Sequence, residues 1–118
     1  MYEYAGKVVK VVDGDTFDVI VDLGFKIKQE IRVRLKDIDT PEIYHPSCPE
    51  ELAHGQAAKK FVEEKLLDKE ILLVTFKDKT GKYGRYLADV VYVDENYAAH
   101  FIIDELKKAG LEKKERYK

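Results

Sequence analysis

Three apolar-rich runs, residues 7 to 12, 16 to 23 and 25 to 36, are separated only by Asp13-Gly14-Asp15 and by Gly24. Connections this short cannot cross from one end of a sheet to the other, so successive strands have to turn back as antiparallel neighbours. In the second run Phe17, Val19 and Val21 alternate with Thr16, Asp18 and Ile20. In the third, Phe25, Ile27, Ile31, Val33 and Leu35 share one parity. With no bulge between Ile27 and Ile31, that strand is expected to be apolar on one face along its whole length. The opening third of the chain therefore reads as a three-stranded meander.

The remainder supplies two helices and two more strands. Pro41 to Pro49 holds three prolines and reads as loop. Helical spacing of Ala58, Phe61, Val62 and Leu66 then predicts a helix that begins between Glu50 and His54. "EILLVTF" and "RYLADVVYV" read as strands joined by the Gly- and Lys-rich "KDKTGKYG". "AAHFIIDELKKAGL" reads as a second helix with Phe101, Ile102, Leu106 and Ala109 on one face and Gly110 as its stop. The resulting order, β-β-β-α-β-β-α, is mainly β within an α+β class and is the order of a five-stranded OB-type Greek-key barrel with two packed helices. A chain of 118 residues is the size of one domain, 1–118, with a core over about 7–111 and a basic tail, 112–118, expected to fray.

Composition narrows the function. A net charge of −2 argues against holding nucleic acid by bulk electrostatics, so a phosphodiester ligand would need locally placed cations. Cys48 is the single cysteine, which excludes an internal disulfide, and no Cys/His spacing resembles a zinc site. The first residues lack the layout of a secretory signal and there is no apolar run of membrane-spanning length. The expected setting is cytoplasmic, without a membrane partner.

Chemistry concentrates in three stretches: "DGDT" (13–16), "RLKDIDTPE" (34–42) and "GKYGR" (81–85). If the second and third strands are antiparallel, the start of one and the end of the other lie at the same sheet edge, which brings Asp15 and Asp39 together. Two converging carboxylates repel unless a cation lies between them or one keeps its proton. Such hard oxygen donors suit Ca²⁺ or Mg²⁺. Neither acidic stretch is an EF-hand, since Asp18 stands where the loop needs glycine and Gly24 where it needs glutamate, and "GKYGR" lacks the remaining elements of a P-loop. Of only four arginines, Arg34 and Arg85 fall inside these stretches, and a guanidinium grips two phosphate oxygens at once where lysine cannot.

In this order and with these separations, the three stretches resemble the staphylococcal nuclease (thermonuclease) family from about Lys7 to Leu111. The resemblance implies an OB-type barrel and Ca²⁺-dependent hydrolysis of DNA and RNA phosphodiesters that leaves 3′-phosphate ends; single strands are expected to be preferred, because the attacked phosphate must enter between Arg34 and Arg85. It implies that Asp15 and Asp39 bind the metal with a backbone carbonyl from Thr40, that Glu42 is the general base, that Arg34 and Arg85 hold the phosphate, and that Lys82 and Tyr83 line the nucleotide pocket. A monomer acting on DNA and RNA is expected. Two departures stand out: the chain ends soon after Leu111, where the family's best-known member has a further helix, and Arg116 rather than an aromatic falls at the expected register, with Tyr117 next. A non-catalytic OB-type module that binds nucleic acid or protein is the alternative, but such modules typically lose acidic or arginine positions that are all present here.

Overall fold

A computed structural model describes residues 2–80 and 86–117, with side chains 76–80 excepted. The strands are β1 (Tyr2–Asp13), β2 (Thr16–Asp22), β3 (Lys28–Leu35), β4 (Glu70–Thr80), β5 (Tyr86–Val93) and β6 (Ala99–Phe101), with helices α1 (Pro49–Leu66) and α2 (Ile102–Lys108) and a short 3-10 turn at Glu115–Tyr117. The sheet order is β3-β2-β1-β4-β5-β6, and parallel pairing of β3 with β5 closes the first five strands into a barrel. Closure through Val33, Arg34 and Leu35 gives the end of β3 a neighbour on both sides, which satisfies main-chain polar groups that an open sheet would leave unpaired. Among the described residues no helix is long and apolar enough to cross a membrane.

The tight turns set the register. Thr16 faces Asp13 across the first hairpin, and Thr16 also pairs with Arg34 in β3, so the DGDT turn and the end of β3 share one rim of the barrel. Inward residues of all five barrel strands, among them Val8, Phe17, Val19, Val33, Leu35, Leu73 and Val90, meet Val62 and Leu66 of α1 and Ile102 and Leu106 of α2 in one core. Each such side chain contributes roughly 1.5–3 kcal/mol when fully withdrawn from water.

Four expectations change. The first strand starts at Tyr2 rather than Lys7, because residues 2–7 pair with β4 while residues 6–13 pair with β2. Exposed side chains hid this early half, whose role is to offer main-chain bonds to a second neighbour. Phe25 and Ile27 keep the parity of β3 but lie beyond its start, in a turn where Gly24, Phe25 and Lys26 all have positive φ; Phe25 is 97% exposed. Parity fixes a face, and it does not say where the barrel ends. Residues 99–101, expected in the second helix, form a sixth strand on β5, and α2 starts at Ile102. Phe101 and Ala109 are consequently exposed, while Gly110 (φ 70) does stop the helix, with Gly110 N–H and Leu111 N–H returning to Lys107 and Leu106 carbonyls.

The fourth change is the tail. Residues 112–117 are held in place: Lys113 N–H donates to the Asp39 carbonyl at 2.7 Å, Lys113 Nζ meets Glu51 at 3.3 Å, Arg116 pairs with Glu50, and Tyr117 is buried edge-on against His54. The basic residues find acidic partners on the first turn of α1, which the linear charge pattern could not reveal.

Helix α1 begins at Pro49, slightly before its expected start, with Cys48 as N-cap accepting from Glu51 N–H at 3.4 Å. Its contact with the 41–42 segment runs through Gly55, where a Cβ would lie 2.6 Å from the Pro41 carbonyl oxygen and 3.1 Å from that of Glu42. In an open helix Gly→Ala gains about 1 kcal/mol. Here the clash is with main chain, and we expect Gly55→Ala to destabilise by about 1–3 kcal/mol, as overpacking does. Urea unfolding of the variant checks this, and a raised midpoint would show that the 41–42 segment gives way without penalty.

Candidate active site

At the shared rim, the Asp15 carboxylate is buried and hydrogen-bonded at both oxygens. Oδ1 accepts from the Thr16 hydroxyl at 3.0 Å, Oδ2 accepts from Thr40 N–H at 3.0 Å, and Arg34 Nη2 stands 3.6 Å from Oδ2. The same Nη2 donates to Asp39 Oδ1. Nη1 is turned the other way, onto the carbonyls of Leu35 and Ile38. Arg34 thus lies between the two carboxylates, aimed by main chain of its own strand end. Asp15 also gives its carbonyl to Leu35 N–H at 2.9 Å, which locks the DGDT turn to the end of β3. Gly14 makes that turn fit: a Cβ there would come within 2.8 Å of Ala58 Cβ and 2.9 Å of Thr40 Oγ1.

Asp13 belongs to this cluster, although the sequence reading did not single it out. Burial, and then the neighbouring Asp15, push its carboxyl up to about 7. Burial also works against ionisation of Asp15, yet the hydrogen bond from Asp13, the charge of Arg34 and the donors of Thr40 and Thr16 outweigh it and hold Asp15 below the ordinary carboxylate range. Asp13 is therefore the carboxyl of the pair that takes up a proton first, as pH falls through about 7. Glu42 is near enough for its charge to add to the rise at Asp13.

Asp15, Arg34, Asp39, Thr40 and Glu42 accordingly gather at one rim. Lys82, Tyr83 and Arg85 lie outside the described residues; the next described residue, Tyr86, pairs with Val33, and Leu87 with Arg34. Tyr117, the aromatic closest to the expected register beyond Gly110, is packed against α1 and is no stacking surface.

The donor chemistry fits a hard divalent cation. Asp15 and Asp39 offer carboxylate oxygens on either side of Arg34, 61% of the Asp39 side chain is exposed, and the buried Thr40 Oγ1 has no hydrogen-bond partner among the described residues. No group of three or more His, Cys, Asp or Glu side chains converges on a metal position among the described residues. Main-chain carbonyl and water would have to complete the shell, as Ca²⁺ and Mg²⁺ both allow.

Glu51 is the second residue that sequence reasoning missed. Its side chain is 1% exposed, and it accepts from Ser47 N–H (2.6 Å), Glu42 N–H (3.1 Å) and Lys113 Nζ (3.3 Å). One carboxylate thereby fixes the loop that carries Glu42, the first turn of α1 and the residue bonded to the Asp39 carbonyl. A Glu at the third helical position after a capping residue was the available signal, in "CPEE".

A family model of staphylococcal nuclease homologues matches residues 32–118. A thermonuclease of Staphylococcus intermedius is 36% identical over 102 residues, 86% of this chain and 57% of that protein. A micrococcal nuclease of Shigella flexneri is 38% identical over 98 residues, 80% of this chain and 46% of that protein. An uncharacterized protein of Methanocaldococcus jannaschii is 36% identical over 124 aligned positions, 91% of this chain and 57% of that protein. The chain spans about half the length of the curated relatives it matches.

Glu51 generates a pH prediction. Main-chain donation from Ser47, opposed by burial and supported by Glu42 N–H and Lys113, lowers its carboxyl from 4.5 to about 2. A depressed folded value means that its contribution is complete above about pH 4.5 and is lost as pH falls towards 2. Glu51→Gln should therefore be least stable relative to the parent near neutral pH, with the gap narrowing on acidification through that window. Denaturant unfolding of both proteins along the pH series measures it; a gap independent of pH would show that Glu51 acts by shape rather than charge.

Proposed function

The chain belongs to the staphylococcal nuclease family, and on that premise we propose that it is a Ca²⁺-dependent nuclease that hydrolyses DNA and RNA phosphodiesters, preferring single strands and leaving 3′-phosphate ends. The observation that carries this reading is the placement of Arg34 between Asp15 and Asp39 at the rim where the Glu42 loop arrives. Arg34 supports the rim in any module of this fold, but a donor for phosphate, two carboxylates able to take a cation and a third beside them are together what hydrolysis calls for. A hydrolase of phosphodiesters needs each part.

A phosphodiester resists attack because its anionic oxygens repel the nucleophile, and their charge grows as water adds. Ca²⁺ held by Asp15, Asp39 and the Thr40 carbonyl would supply neutralisation of a phosphate oxygen. The chain's own residues supply the rest. Arg34 is oriented through Nη1 on the Leu35 and Ile38 carbonyls, while Nη2 faces the carboxylates of Asp15 and Asp39, so a phosphate oxygen would take over the Nη2 contact that Asp39 now accepts. Arg85 would act as a second donor, and its bidentate fork matches the oxygens of the pentavalent transition state better than lysine's single ammonium. Glu42, whose main chain Glu51 anchors, orients the attacking water and takes its proton. As the water oxygen bonds to phosphorus, the bond to the 5′ oxygen breaks, the phosphate stays on the 3′ side, and the 5′ oxygen collects a proton. Lys82 and Tyr83 would hold the nucleotide.

Incubation of denatured DNA with the protein, with Ca²⁺ or with chelator, is the direct test. We expect Ca²⁺-dependent cleavage, faster on separated strands than on a stable duplex. Asp39→Asn should abolish it while the fold persists, since Asp39 is exposed and its loss relieves repulsion. Arg85→Lys should lower kcat by on the order of 10²-fold with little change in Tm. Absence of Ca²⁺-dependent turnover, or full kcat in the lysine variant, would leave the non-catalytic binding module as the better account.

A further inference from the structure

Two side chains beside this centre have no part in the reaction as described. Arg32 lies two residues before Arg34 on β3, on the same outward face, and so is displaced from it by two strand steps, roughly 6.5 Å. Its Nε and Nη2 are clamped on Asp18 of β2 at 2.8 and 3.2 Å, yet 46% of the side chain is exposed, and Nη1 has no hydrogen-bond partner among the described residues. A guanidinium fixed along one edge and open along the other is preorganised for an oxyanion.

Tyr44, on the loop that follows Glu42, is 60% exposed, and its hydroxyl donates to the Val12 carbonyl at 3.2 Å. The ring is therefore tethered at its tip while much of its surface stays open to solvent. Val12 lies on β1 opposite the Thr16–Phe17 step of β2, and Asp18 of β2 faces Arg32 of β3, so the tethered ring tip and the guanidinium flank the same stretch of β2 from its two sides. An open aromatic ring anchored on one side of β2 and an aimed guanidinium on the other, one strand repeat from Arg34, combine the two elements by which single strands are held, stacking and phosphate pairing. The strand repeat is comparable to the spacing of successive phosphates in an extended polynucleotide.

We propose that Arg32 and Tyr44 form a second nucleotide subsite, which takes the phosphate and base next to the cleaved bond of a single-stranded polynucleotide. The inference rests on the nuclease reading for its substrate class, and it makes the protein an enzyme for chains rather than for isolated nucleotides.

Binding is measured by fluorescence anisotropy, in chelator, with a short labelled single strand and with an abasic strand of the same length. Tyr44→Leu should weaken the normal strand by about tenfold and spare the abasic one, whereas Tyr44→Phe, which also loses the bond to Val12 but keeps the ring, should bind like the parent. Removing Arg32 alone would strand the nearly buried Asp18, so the paired variant Asp18→Asn/Arg32→Gln is used, with its melting checked; it should weaken both strands. In turnover, the ratio of kcat/KM on the oligonucleotide to that on a single-phosphodiester nitrophenyl ester should fall by a similar factor in Tyr44→Leu. Affinities that stay at the parental level in folded Tyr44→Leu and in the paired variant would overturn the subsite, even if cleavage is normal. Ring- and base-dependent binding without any cleavage would instead overturn the nuclease reading and leave the subsite standing. A parent protein that neither binds nor cleaves the strand would end both.

Discussion

Carboxylates crowded at the rim of a barrel repel one another, and in this protein the repulsion is contained by one guanidinium and one proton. Arg34 lies between Asp15 and Asp39, and the Asp13 carboxyl, pushed up to about 7, takes a proton well before Asp15 does as pH falls. Remove the positive charge and Asp15, buried with its neighbours, would have to leave the rim or protonate. The end of β3 is tied to Asp15 through its carbonyl, the Thr40 main chain through its carboxylate, and Gly14 lets the turn close against Thr40 and Ala58. The architecture of the rim and the capacity to receive a cation thus come from the same unfavourable charge density.

Glu51 plays the corresponding part behind the site. A carboxylate with almost no exposure is tolerable only when its oxygens are saturated with donors, and three supply them: two main-chain N–H groups of the 42–47 loop and Lys113. Because two donors come from the loop before α1 and the third from the far carboxyl-terminal segment, satisfying Glu51 assembles the loop of Glu42, the start of α1 and that segment. Lys113 then closes the circuit through its main chain, which donates to the carbonyl of Asp39. Positioning of the candidate general base and of a candidate metal ligand is in this way one electrostatic problem with one solution.

Much of this was legible in the residues. The meander followed from connections too short to cross a sheet, and the convergence of DGDT with the end of "RLKDIDTPE" followed from antiparallel pairing, which the Thr16–Arg34 register bears out. Helix α1 was announced by its apolar spacing and α2 by Gly110 at its end. What period-two parity could not convey was extent: Tyr2 to Gly6 join β4 without burying a stripe, Phe25 keeps step with β3 outside it, and His100 sits in an edge strand where a helix was expected.

The sequence by itself determined which residue types could meet and at which edge, because strand parity and turn length are local properties of the chain. Tertiary structure alone decided the protonation and partners of what met there. Asp13 and Asp15 are separated by one residue and burial pushes both carboxyls up, yet Asp15 alone has the charge of Arg34 and the donors of Thr40 and Thr16 to hold it below the ordinary range. Lys113 and Arg116 read as a solvated tail until the fold brings Glu51 and Glu50 opposite them. Burial and long-range charge pairing depend on every element at once, and a linear pattern holds no record of them.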